Sequence, residues 1–461
     1  MKYCLIGKKL SYSFSGDIHR KNGFDYGLKE IPQDKLDGFL RDNIYDGFNV
    51  TIPYKEEVLK YMDYLSPEAE AIGSVNTVKK SGGLYYGFNT DVLGMEYAIT
   101  RAGADLKGMR VLIAGSGGTR KTAEYLCRKK NALSVNYVSR TGEINYTNCY
   151  DLLPDTEVII NATPVGTSPD LDGAVLDVFK FKRLEFVFDC VYNPLKTQLI
   201  LNSEKAGIKC SGGLPMLIAQ AVAAEKIWES ERFSSNGARV LLGNKRVSSE
   251  NECVPSGNDI ALSADGRPSS DNGAAFSEKE ILSEEEVIVI ERIYKQLRRG
   301  KLNITLTGMP SCGKTSVGKI LAEKLNKTFI DTDEEIKKST GKSAAEIILK
   351  DGEQAFRDIE EEIIKKVAAF QNRVISTGGG AVIRPQNVKR LSQNGIVIYI
   401  ERDLALLTDK DRPVSIQKSI EKLFEERKDL YEKTCDYKIK NDATIDECVI
   451  KAVKVYEDFS Y

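Results

Sequence analysis

The stretch Ile304-Thr305-Leu306-Thr307-Gly308-Met309-Pro310-Ser311-Cys312-Gly313-Lys314-Thr315 predicts a strand, a glycine turn and the start of a helix. Such a turn forms an anion site, because unpaired backbone N–H groups converge at the helix N-terminus. In this pattern the lysine reaches the β- and γ-phosphates of a nucleoside triphosphate, and the threonine hydroxyl binds Mg²⁺. The predicted phosphate-binding residues are Gly308, Ser311, Cys312, Gly313, Lys314, Thr315 and Ser316.

A second glycine turn, Gly115-Ser116-Gly117-Gly118-Thr119, follows the apolar run 110–114 and opens another helix-like stretch. It has no lysine and suits the pyrophosphate of a dinucleotide. The next strand candidate ends in Ser139-Arg140-Thr141, where an NAD site would offer an acidic residue to the ribose hydroxyl. Arg140 suits a ribose 2′-phosphate instead, which favours NADP(H). The alternative is a surface arginine on an ordinary turn.

Composition narrows the class of protein. A chain of 461 residues predicts two or three domains. Its 67 acidic and 66 basic residues nearly cancel, so net charge gives no argument for a nucleic-acid or membrane partner. Nine cysteines without a CxxC pair, and one histidine, argue against a zinc site and fit a reducing cytoplasm. Neither a signal peptide nor a membrane span is predicted.

Several stretches within residues 3–228 resemble, in order, the motifs of shikimate dehydrogenases. They are residues 7–15, 49–55, 72–77, 87–91, 161–166, 189–194 and 213–216, with Gln220. Three positions of the first motif depart from the family, with Tyr12, Gly16 and Arg20 where histidine, proline and asparagine are usual. These departures concern the local shape of the loop.

Reducing a ketone with hydride requires a proton donor and a cation beside the developing alkoxide. The resemblance implies that Lys55 fills both roles and that Asp91 orients it. Without the resemblance, Lys55 would be a solvated lysine at a strand end and Asp91 a helix N-cap. The resemblance also implies substrate contacts from Ser13, Ser15, Thr51, Asn76, Tyr192 and Gln220, and cofactor contacts from Gly115, Ser116, Gly117, Gly118, Thr119, Ser139, Arg140, Thr141 and Gly213. His19 is interpreted as structural.

Residues 302 to about 457 resemble shikimate kinases through stretches 341–343, 352–357, 376–381 and 412–413. Asp331 is predicted in the metal shell with Thr315, and Asp333 at the acceptor hydroxyl as a catalytic residue with Lys314. By the resemblance, Arg357 and Arg427 hold the substrate carboxylate, Gly379 and Gly380 approach the ring, and Arg412 closes from a lid onto the γ-phosphate. In charge-dense helical stretches such arginines are otherwise solvated. Residues 405–411 lack the basic residue that usually stacks on adenine.

The predicted architecture is α/β throughout. Alternating strands and helices over residues 101–210 indicate a parallel, doubly wound sheet. Four segments are predicted. They are an α/β substrate-binding domain (1–100, closed by a helix over 214–229), a Rossmann-like NADP-binding domain (101–232), a flexible polar linker (233–277) and a P-loop kinase domain resembling nucleoside monophosphate kinases (278–461). Within the linker, Val240-Leu241-Leu242 could still dock.

The two resemblances support each other, because one reaction's product is the other's substrate. We therefore predict a bifunctional enzyme that uses NADPH, ATP and Mg²⁺ on the small molecules 3-dehydroshikimate and shikimate. One alternative is an active dehydrogenase fused to an altered or regulatory kinase-like part. Another is a metabolite-sensing regulator made of decayed enzyme domains, although such a protein should have lost several of the candidate residues. The oligomeric state stays open.

Overall fold

The computed structural model describes residues 1–10, 13–42, 44–230, 239–240, 282–407 and 420–460. The chain divides into two compact units. The first comprises Met1–Gly108, Ser116–Val135 and Pro215–Ile293, and the second comprises Met109–Gly115, Asn136–Leu214 and Tyr294–Tyr461. The four segments predicted from the sequence are drawn at other boundaries and stay a prediction.

The strands of the described residues are β1 Tyr3–Gly7, β2 Tyr26–Glu30, β3 Gly47–Val50, β4 Tyr64–Leu65, β5 Thr77–Ser81, β6 Leu84–Phe88, β7 Arg110–Ala114, β8 Ser134–Val138, β9 Val158–Asn161, β10 Phe186–Asp189, β11 Lys209–Ser211, β12 Arg239–Val240, β13 Asn303–Thr307, β14 Thr328–Asp331, β15 Arg373–Ser376, β16 Gly395–Glu401 and β17 Tyr437–Lys440.

The helices are α1 Ser15–Lys21, α2 Leu36–Arg41, α3 Pro67–Ile72, α4 Asp91–Arg101, α5 Gly118–Lys129, α6 Cys149–Leu152, α7 Gln198–Lys205, α8 Leu214–Glu229, α9 Glu284–Lys301, α10 Lys314–Lys324, α11 Thr332–Thr340, α12 Ala344–Asp351, α13 Glu353–Ala368, α14 Pro385–Gln393, α15 Ile420–Thr434 and α16 Ile445–Ser460. Short 3₁₀ turns lie at Gln33–Lys35, Glu57–Tyr61, Val178–Lys180, Ala381–Ile383 and Leu404–Leu406.

The first sheet has the order β12-β4-β6-β5-β3-β1-β2. The predicted hairpin is present, because β5 pairs antiparallel with β6 on either side of the Gly82-Gly83 turn. Helix α8 is the helix predicted over residues 214–229. Its Trp228 stacks on Tyr3 of β1 with ring centroids 4.5 Å apart and donates a hydrogen bond to the Val78 carbonyl. Helix α8 therefore covers this sheet, as expected.

The second sheet has the order β11-β10-β9-β7-β8, and β7, β9, β10 and β11 pair in parallel. The chain reverses its direction of winding between β7 and β9, so this point is the topological switch at which ligands bind in open α/β sheets. The first glycine turn leaves the carboxyl end of β7 there. The predicted doubly wound sheet is confirmed.

The third sheet has the order β14-β15-β13-β16-β17, and all four pairs are parallel. Its central strand β13 is buried on both faces: Ile304 and Leu306 on one face and Thr305 on the other are all 0% exposed. The switch point lies between β13 and β15, and the second glycine turn leaves β13 at that place. The predicted P-loop architecture is confirmed.

Most of the predicted linker 233–277 lies outside the described residues, and so do Leu241 and Leu242. Its described residues, Arg239 and Val240, form β12, which pairs antiparallel with β4 at the edge of the first sheet. Val240 belongs to the run that was expected to be able to dock, and the boundaries of the linker stay a prediction. In the part of the chain that is described, every helix is too short or too polar to cross a bilayer.

Candidate active sites

Lys55 and Asp91 form an ion pair in the first unit. The Lys55 Nζ donates to Asp91 Oδ2 at 2.6 Å, and the side chains are only 17% and 10% exposed. Asp91 is the first residue of α4, but the residue at the cap is Thr90, and no side chain caps this helix. The interpretation of Asp91 as an N-cap is therefore wrong, because its carboxylate is used by Lys55.

Two amide side chains extend this pair. Asn76 Nδ2 donates to Asp91 Oδ1 at 2.9 Å, while Asn76 Oδ1 accepts from the Thr90 amide at 2.8 Å. The Gln220 Oε1, on α8, lies 3.4 Å from the same Asn76 Nδ2. All of these residues except Lys55 are less than a tenth exposed. The structure thus brings together Lys55, Asp91, Asn76 and Gln220, which the sequence separates by up to 165 positions.

The other predicted substrate residues of this unit follow neighbouring parallel strands. Ser13 and Ser15 come after β1, and the Ser13 hydroxyl lies 3.2 Å from both the Ser15 hydroxyl and the Ser15 amide. Thr51 comes after β3, and its amide donates to the Ile6 carbonyl of β1 at 2.9 Å. Because carboxyl ends of parallel neighbours share one sheet edge, these polar groups lie at that edge.

His19 is buried, as its structural interpretation requires. Its Nδ1 lies 2.7 Å from Glu225 Oε1, and its ring stacks on Tyr26 with centroids 4.1 Å apart. This arrangement ties α1 to α8 and leaves His19 out of the polar cluster around Lys55.

The first glycine turn leads from β7 into α5. Gly117 is the N-cap of α5, and no side chain caps this helix, so the first amides of the helix have no side-chain acceptor at the cap. The local geometry fits the predicted dinucleotide turn of Gly115, Ser116, Gly117, Gly118 and Thr119.

The end of β8 lies beside this turn, because the Gly115 amide donates to the Val138 carbonyl at 2.9 Å. Ser139, Arg140 and Thr141 follow directly. Ser139 is buried and its amide donates to the Ile144 carbonyl, whereas Arg140 and Thr141 are exposed. An exposed guanidinium at this strand end fits a 2′-phosphate, and the assignment stays a prediction.

Tyr192 lies in the loop between β10 and α7. The base of the loop is closed by Asp189, whose carboxylate accepts from Asn161 Nδ2 at 2.9 Å, from the Val191 amide at 3.0 Å and from Thr197 Oγ1 at 2.6 Å. Burial raises the pKa of Asp189 to about 6 in spite of these hydrogen bonds.

Gly213 packs directly on this loop. Its amide donates to the Val191 carbonyl at 2.9 Å, and a Cβ at Gly213 would lie 2.2 Å from the Cys190 carbonyl oxygen. Only glycine allows this close backbone approach.

In the second unit, Lys314 is buried and folds back on its own loop. Its Nζ donates to the Gly308 and Met309 carbonyls at 2.9 and 2.8 Å. The surrounding cavity of about 250 Å³ is lined by Ser311, Gly313, Lys314, Thr315, Ser316, Asp331, Asp333, Ser376, Thr377, Arg402, Asn441 and Ile445. The predicted triphosphate residues therefore surround one cavity, with Gly308 and Cys312 in the turn beneath Lys314.

Thr315 and Asp331 meet in this cavity. The Thr315 hydroxyl donates to Asp331 Oδ2 at 2.9 Å, and Asp331 Oδ1 caps α11 by accepting from the Asp333 amide at 3.0 Å. A hydroxyl oxygen and a carboxylate oxygen are hard metal ligands of the kind that Mg²⁺ prefers. The two residues predicted for the metal therefore fit it.

Asp333 and Arg357 border a second polar cluster. Arg357 donates through Nη1 to Glu360 Oε2 at 2.8 Å, and a Cβ at Gly380 would lie 2.2 Å from its Nη2, so the guanidinium rests against bare backbone. Burial raises the pKa of Glu360. The negative charge of Asp333 adds to this increase, and the positive charges of Arg357 and Arg427 reduce it. Glu360 was not predicted from the sequence.

Arg427 is 4% exposed and Arg357 is 6% exposed, so the expectation for solvated helix arginines does not hold. Within the described residues, the Nε atom of each lacks a hydrogen-bond partner. Beside Arg427, the Tyr431 hydroxyl donates to the Gly379 carbonyl. Two buried guanidinium groups with unused donors next to Gly379 and Gly380 can bind a carboxylate.

Arg402, Ser376 and Asn441 also line the cavity and were missed. Arg402 Nη1 donates to the Ser311 carbonyl at 3.5 Å, and Asn441 Nδ2 donates to the Cys312 carbonyl at 2.8 Å. Ser376 and Arg402 each stand at or just after the end of a parallel strand, which was the available signal. Arg412 lies outside the described residues, as does most of the lid segment 405–412.

Comparison with known proteins finds relatives for both parts of the chain. The model for the shikimate dehydrogenase substrate-binding domain matches residues 5–78, and that for shikimate kinase matches residues 310–457. The NADP⁺ shikimate dehydrogenase of Caldicellulosiruptor bescii is 34% identical over 257 residues, which span 49% of this chain and 88% of that protein. The enzyme of Clostridium perfringens strain SM101 is also 34% identical and is covered to 90%.

Solved structures give the same coverage. Shikimate dehydrogenase 1 of Peptoclostridium difficile is 32% identical, with a TM-score of 0.46 over 50% of this chain and 91% of its own. A chorismate mutase/shikimate 5-dehydrogenase fusion protein of Clostridium acetobutylicum is 34% identical, with a TM-score of 0.46 over 49% and 90%. Because its N-terminal half covers about nine-tenths of relatives at 34% identity, the chain belongs to the shikimate dehydrogenase family, with a shikimate kinase domain fused at its C-terminal side.

Proposed function

We propose that this chain catalyses two consecutive reactions, the NADPH-dependent reduction of 3-dehydroshikimate to shikimate and the ATP-dependent phosphorylation of the shikimate 3-hydroxyl. The proposal is supported most by the presence of two separate groups of candidate catalytic residues on one chain. One is the Lys55–Asp91 ion pair, and the other is the cavity around Lys314, Thr315 and Asp331. A regulator made of decayed domains would not be expected to keep both.

In the first reaction, bound NADPH supplies the hydride that reaches the ketone carbon. The Lys55 ammonium delivers a proton to the ketone oxygen and stabilises the negative charge that develops there. Asp91 holds the ammonium in place from one side, which leaves its other N–H bonds for substrate. Asn76 fixes the opposite oxygen of Asp91, so the donor is positioned before substrate arrives.

Substrate selection in this half is assigned to neutral polar side chains. Asn76 and Gln220 adjoin the Lys55–Asp91 pair and can bind ring hydroxyls. Ser13, Ser15, Thr51 and Tyr192 complete the proposed set, by the family resemblance. Neutral donors and acceptors suit a substrate whose hydroxyls must be distinguished by position, because an unmatched buried polar group is costly.

In the second reaction, Asp333 accepts the proton of the 3-hydroxyl, and Arg357 and Arg427 bind the substrate carboxylate through charge-assisted hydrogen bonds. Lys314 leaves the Gly308 and Met309 carbonyls to bind the β- and γ-phosphates of ATP. Thr315 and Asp331 would hold Mg²⁺, which would neutralise negative charge on the phosphates. The hydroxyl phosphorylated here is the one that the first reaction creates.

One coupled assay tests the proposal. Purified chain is given 3-dehydroshikimate, NADPH and Mg-ATP, and NADPH loss and ADP formation are followed together. Both signals are expected, with ADP formation depending on NADPH. NADPH loss without ADP formation would indicate an altered kinase-like part. If neither NADPH loss nor ADP formation is seen, the regulator is favoured.

We also propose a cellular location and a division of the chain into segments. The eight cysteines of the described residues are all free, which supports a reducing cytoplasmic location. The four-segment division is also proposed. If residues 233–277 are a linker, as their polar composition predicts, limited proteolysis should cut first within them.

A further inference from the structure

Asp172, in the loop after β9, contacts helix α14 of the kinase domain. Its two carboxylate oxygens accept from Arg390 Nε at 2.9 Å and from Arg390 Nη2 at 2.8 Å, which is a bidentate arrangement. Gln386 Nε2 also donates to Asp172 Oδ1 at 2.9 Å. Arg390 lowers the pKa of Asp172 to about 2. The carboxylate is therefore ionised and paired at any neutral pH.

The neighbouring residue, Leu171, is an apolar anchor. It is 1% exposed and belongs to the same buried cluster as Ile336, Ile347 and Leu391 of the kinase domain. Its carbonyl accepts a hydrogen bond from Gln393 Nε2 at 2.8 Å. Leu171 thus contributes a buried side chain and a backbone hydrogen bond to the kinase domain, which indicates a well-packed contact.

A second loop of the dehydrogenase half meets the same face. Gln371 Nε2 donates to Asn193 Oδ1 at 2.9 Å, and the Lys196 amide donates to the Gln393 carbonyl at 2.8 Å. The Leu195 amide donates to Asn394 Oδ1 at 3.1 Å. These three contacts follow Tyr192 directly in the chain.

The two loops are also joined to each other, since the Ser168 amide donates to the Asn193 carbonyl at 2.9 Å. The loop that carries Tyr192 is therefore closed on one side by its own half, where Thr197 bonds to Asp189. On the other side, residues 193–196 are held by Gln371, Gln393 and Asn394.

We propose that the kinase domain serves as a positioning element for the dehydrogenase: through Arg390, Gln371 and Gln393 it holds the two loops that frame Tyr192, so that substrate binding by the first enzyme depends on contacts from the second. The proposal rests on the proposed function, since it takes Tyr192 as a substrate contact. Arg390 and Gln371 act through the loops, and neither touches the reacting atoms.

The test changes the kinase side and measures the dehydrogenase side in the full chain. Arg390→Ala should raise the KM for 3-dehydroshikimate by about tenfold, as expected for loss of a charge-assisted bond, with kcat changed less than about twofold. Amide hydrogen exchange in residues 168–172 and 192–196 should rise with it. The rate of shikimate phosphorylation should stay unchanged, which shows that the kinase fold is intact.

Arg384→Ala is the matched control. Arg384 precedes the same helix and donates to Glu361 and Asp358, both within the kinase domain. It should leave the KM for 3-dehydroshikimate and the loop exchange unchanged. If Arg390→Ala does not fold, Gln371→Ala provides the second variant, because it removes the hydrogen bond to Asn193 from a partly exposed position.

The outcomes separate the two proposals. Unchanged KM and unchanged exchange in Arg390→Ala or Gln371→Ala would overturn the positioning role, and so would raised exchange with unchanged KM. Absence of NADPH oxidation in the unaltered chain would contradict the proposed function instead. In that case, raised exchange in the Arg390 variant would still report the domain contact.

Discussion

The two lysines that we propose to be catalytic are held in different ways. Lys55 is paired with a carboxylate, Asp91, whereas Lys314 is bonded to two neutral backbone carbonyls of its own loop. The first arrangement fixes an ammonium group where a proton is to be delivered. The second holds an ammonium close to its working position until a stronger anionic partner, a phosphate, displaces the carbonyls. The proposed proton donor is thus already paired with its orienting carboxylate, whereas Lys314 would have to exchange its carbonyl partners for the proposed phosphate.

The largest effect is expected when the Lys55–Asp91 ion pair is removed. Lys55→Ala should reduce the rate of 3-dehydroshikimate reduction by about 10²–10⁴-fold, which is the usual contribution of a positioned acid–base group. Phosphorylation of added shikimate should remain near that of the unaltered chain. The two rates are measured separately with NADPH and with ATP.

Lys121→Ala is the matched control for this change, because its ion pair with Glu56 is at the surface. It should leave both rates unchanged. Loss of both activities in a folded Lys55 variant would contradict the independence of the two sites.

Lys314→Ala should have the reverse selectivity. Phosphorylation is expected to fall by about 10²–10³-fold, because one donor to the developing phosphate charge is lost, and reduction should persist. Lys319→Ala, an exposed lysine of the same helix, serves as the control. A kinase rate that survives the Lys314 change would show that the cavity is not the ATP site.

The two parts of the chain also differ in how their buried carboxylates are paired. Glu360 in the kinase domain is paired with Arg357, whereas the carboxylate of Asp189 in the dehydrogenase half accepts hydrogen bonds from neutral groups. The folded-state pKa of Asp189 is about 6 and its ordinary value is 3.8, so the folded chain binds this proton more tightly than the unfolded chain. Stability should therefore fall as pH rises from about 4 to about 6.

Asp189→Asn should remove this dependence, which amounts to about 2–3 kcal/mol of unfolding free energy. Chemical denaturation at several pH values measures it. The same slope in the Asn variant would mean that another group is responsible, and Asp155→Asn at the surface is the control.

The smallest expected effect concerns cofactor choice. Arg140→Asp places a negative charge at the strand end that should face the ribose, so the preference for NADPH over NADH should fall by roughly one to two powers of ten, as for a partly exposed contact of about 1.5–3 kcal/mol. Ratios of kcat/KM for the two cofactors measure it. Arg128→Asp, near the C-terminal end of α5, is the control and should keep the preference for NADPH. Equal use of both cofactors by the unaltered chain would leave Arg140 as a surface arginine.

Local patterns were sufficient for much of the fold and of the sites. Both glycine turns, the helix over residues 214–229 and the Lys-Thr pair were predictable, because a strand, a turn and a helix start are encoded within about fifteen residues. The Lys55–Asp91 pair came from the family resemblance, since no spacing rule joins residues 36 positions apart. Glu360 was missed although Arg357 lies one helical turn before it, because the sequence does not show that this face of the helix is buried. Arg402 was missed because packing brings the Ser311 carbonyl to it.

By itself, the sequence determined that this chain carries two phosphate-binding turns on α/β frameworks and two sets of shikimate-pathway motifs. Only the tertiary structure decided which charged groups are buried and paired. Arg357 and Arg427 lie in charge-dense helices, where sequence cannot distinguish a solvated face from a covered one. Likewise, Asp172 reads as an ordinary loop acid until α14 brings Arg390 against it. The physical reason is that the energy of a charge depends on its desolvation and its partners, and folding sets both through contacts between distant segments.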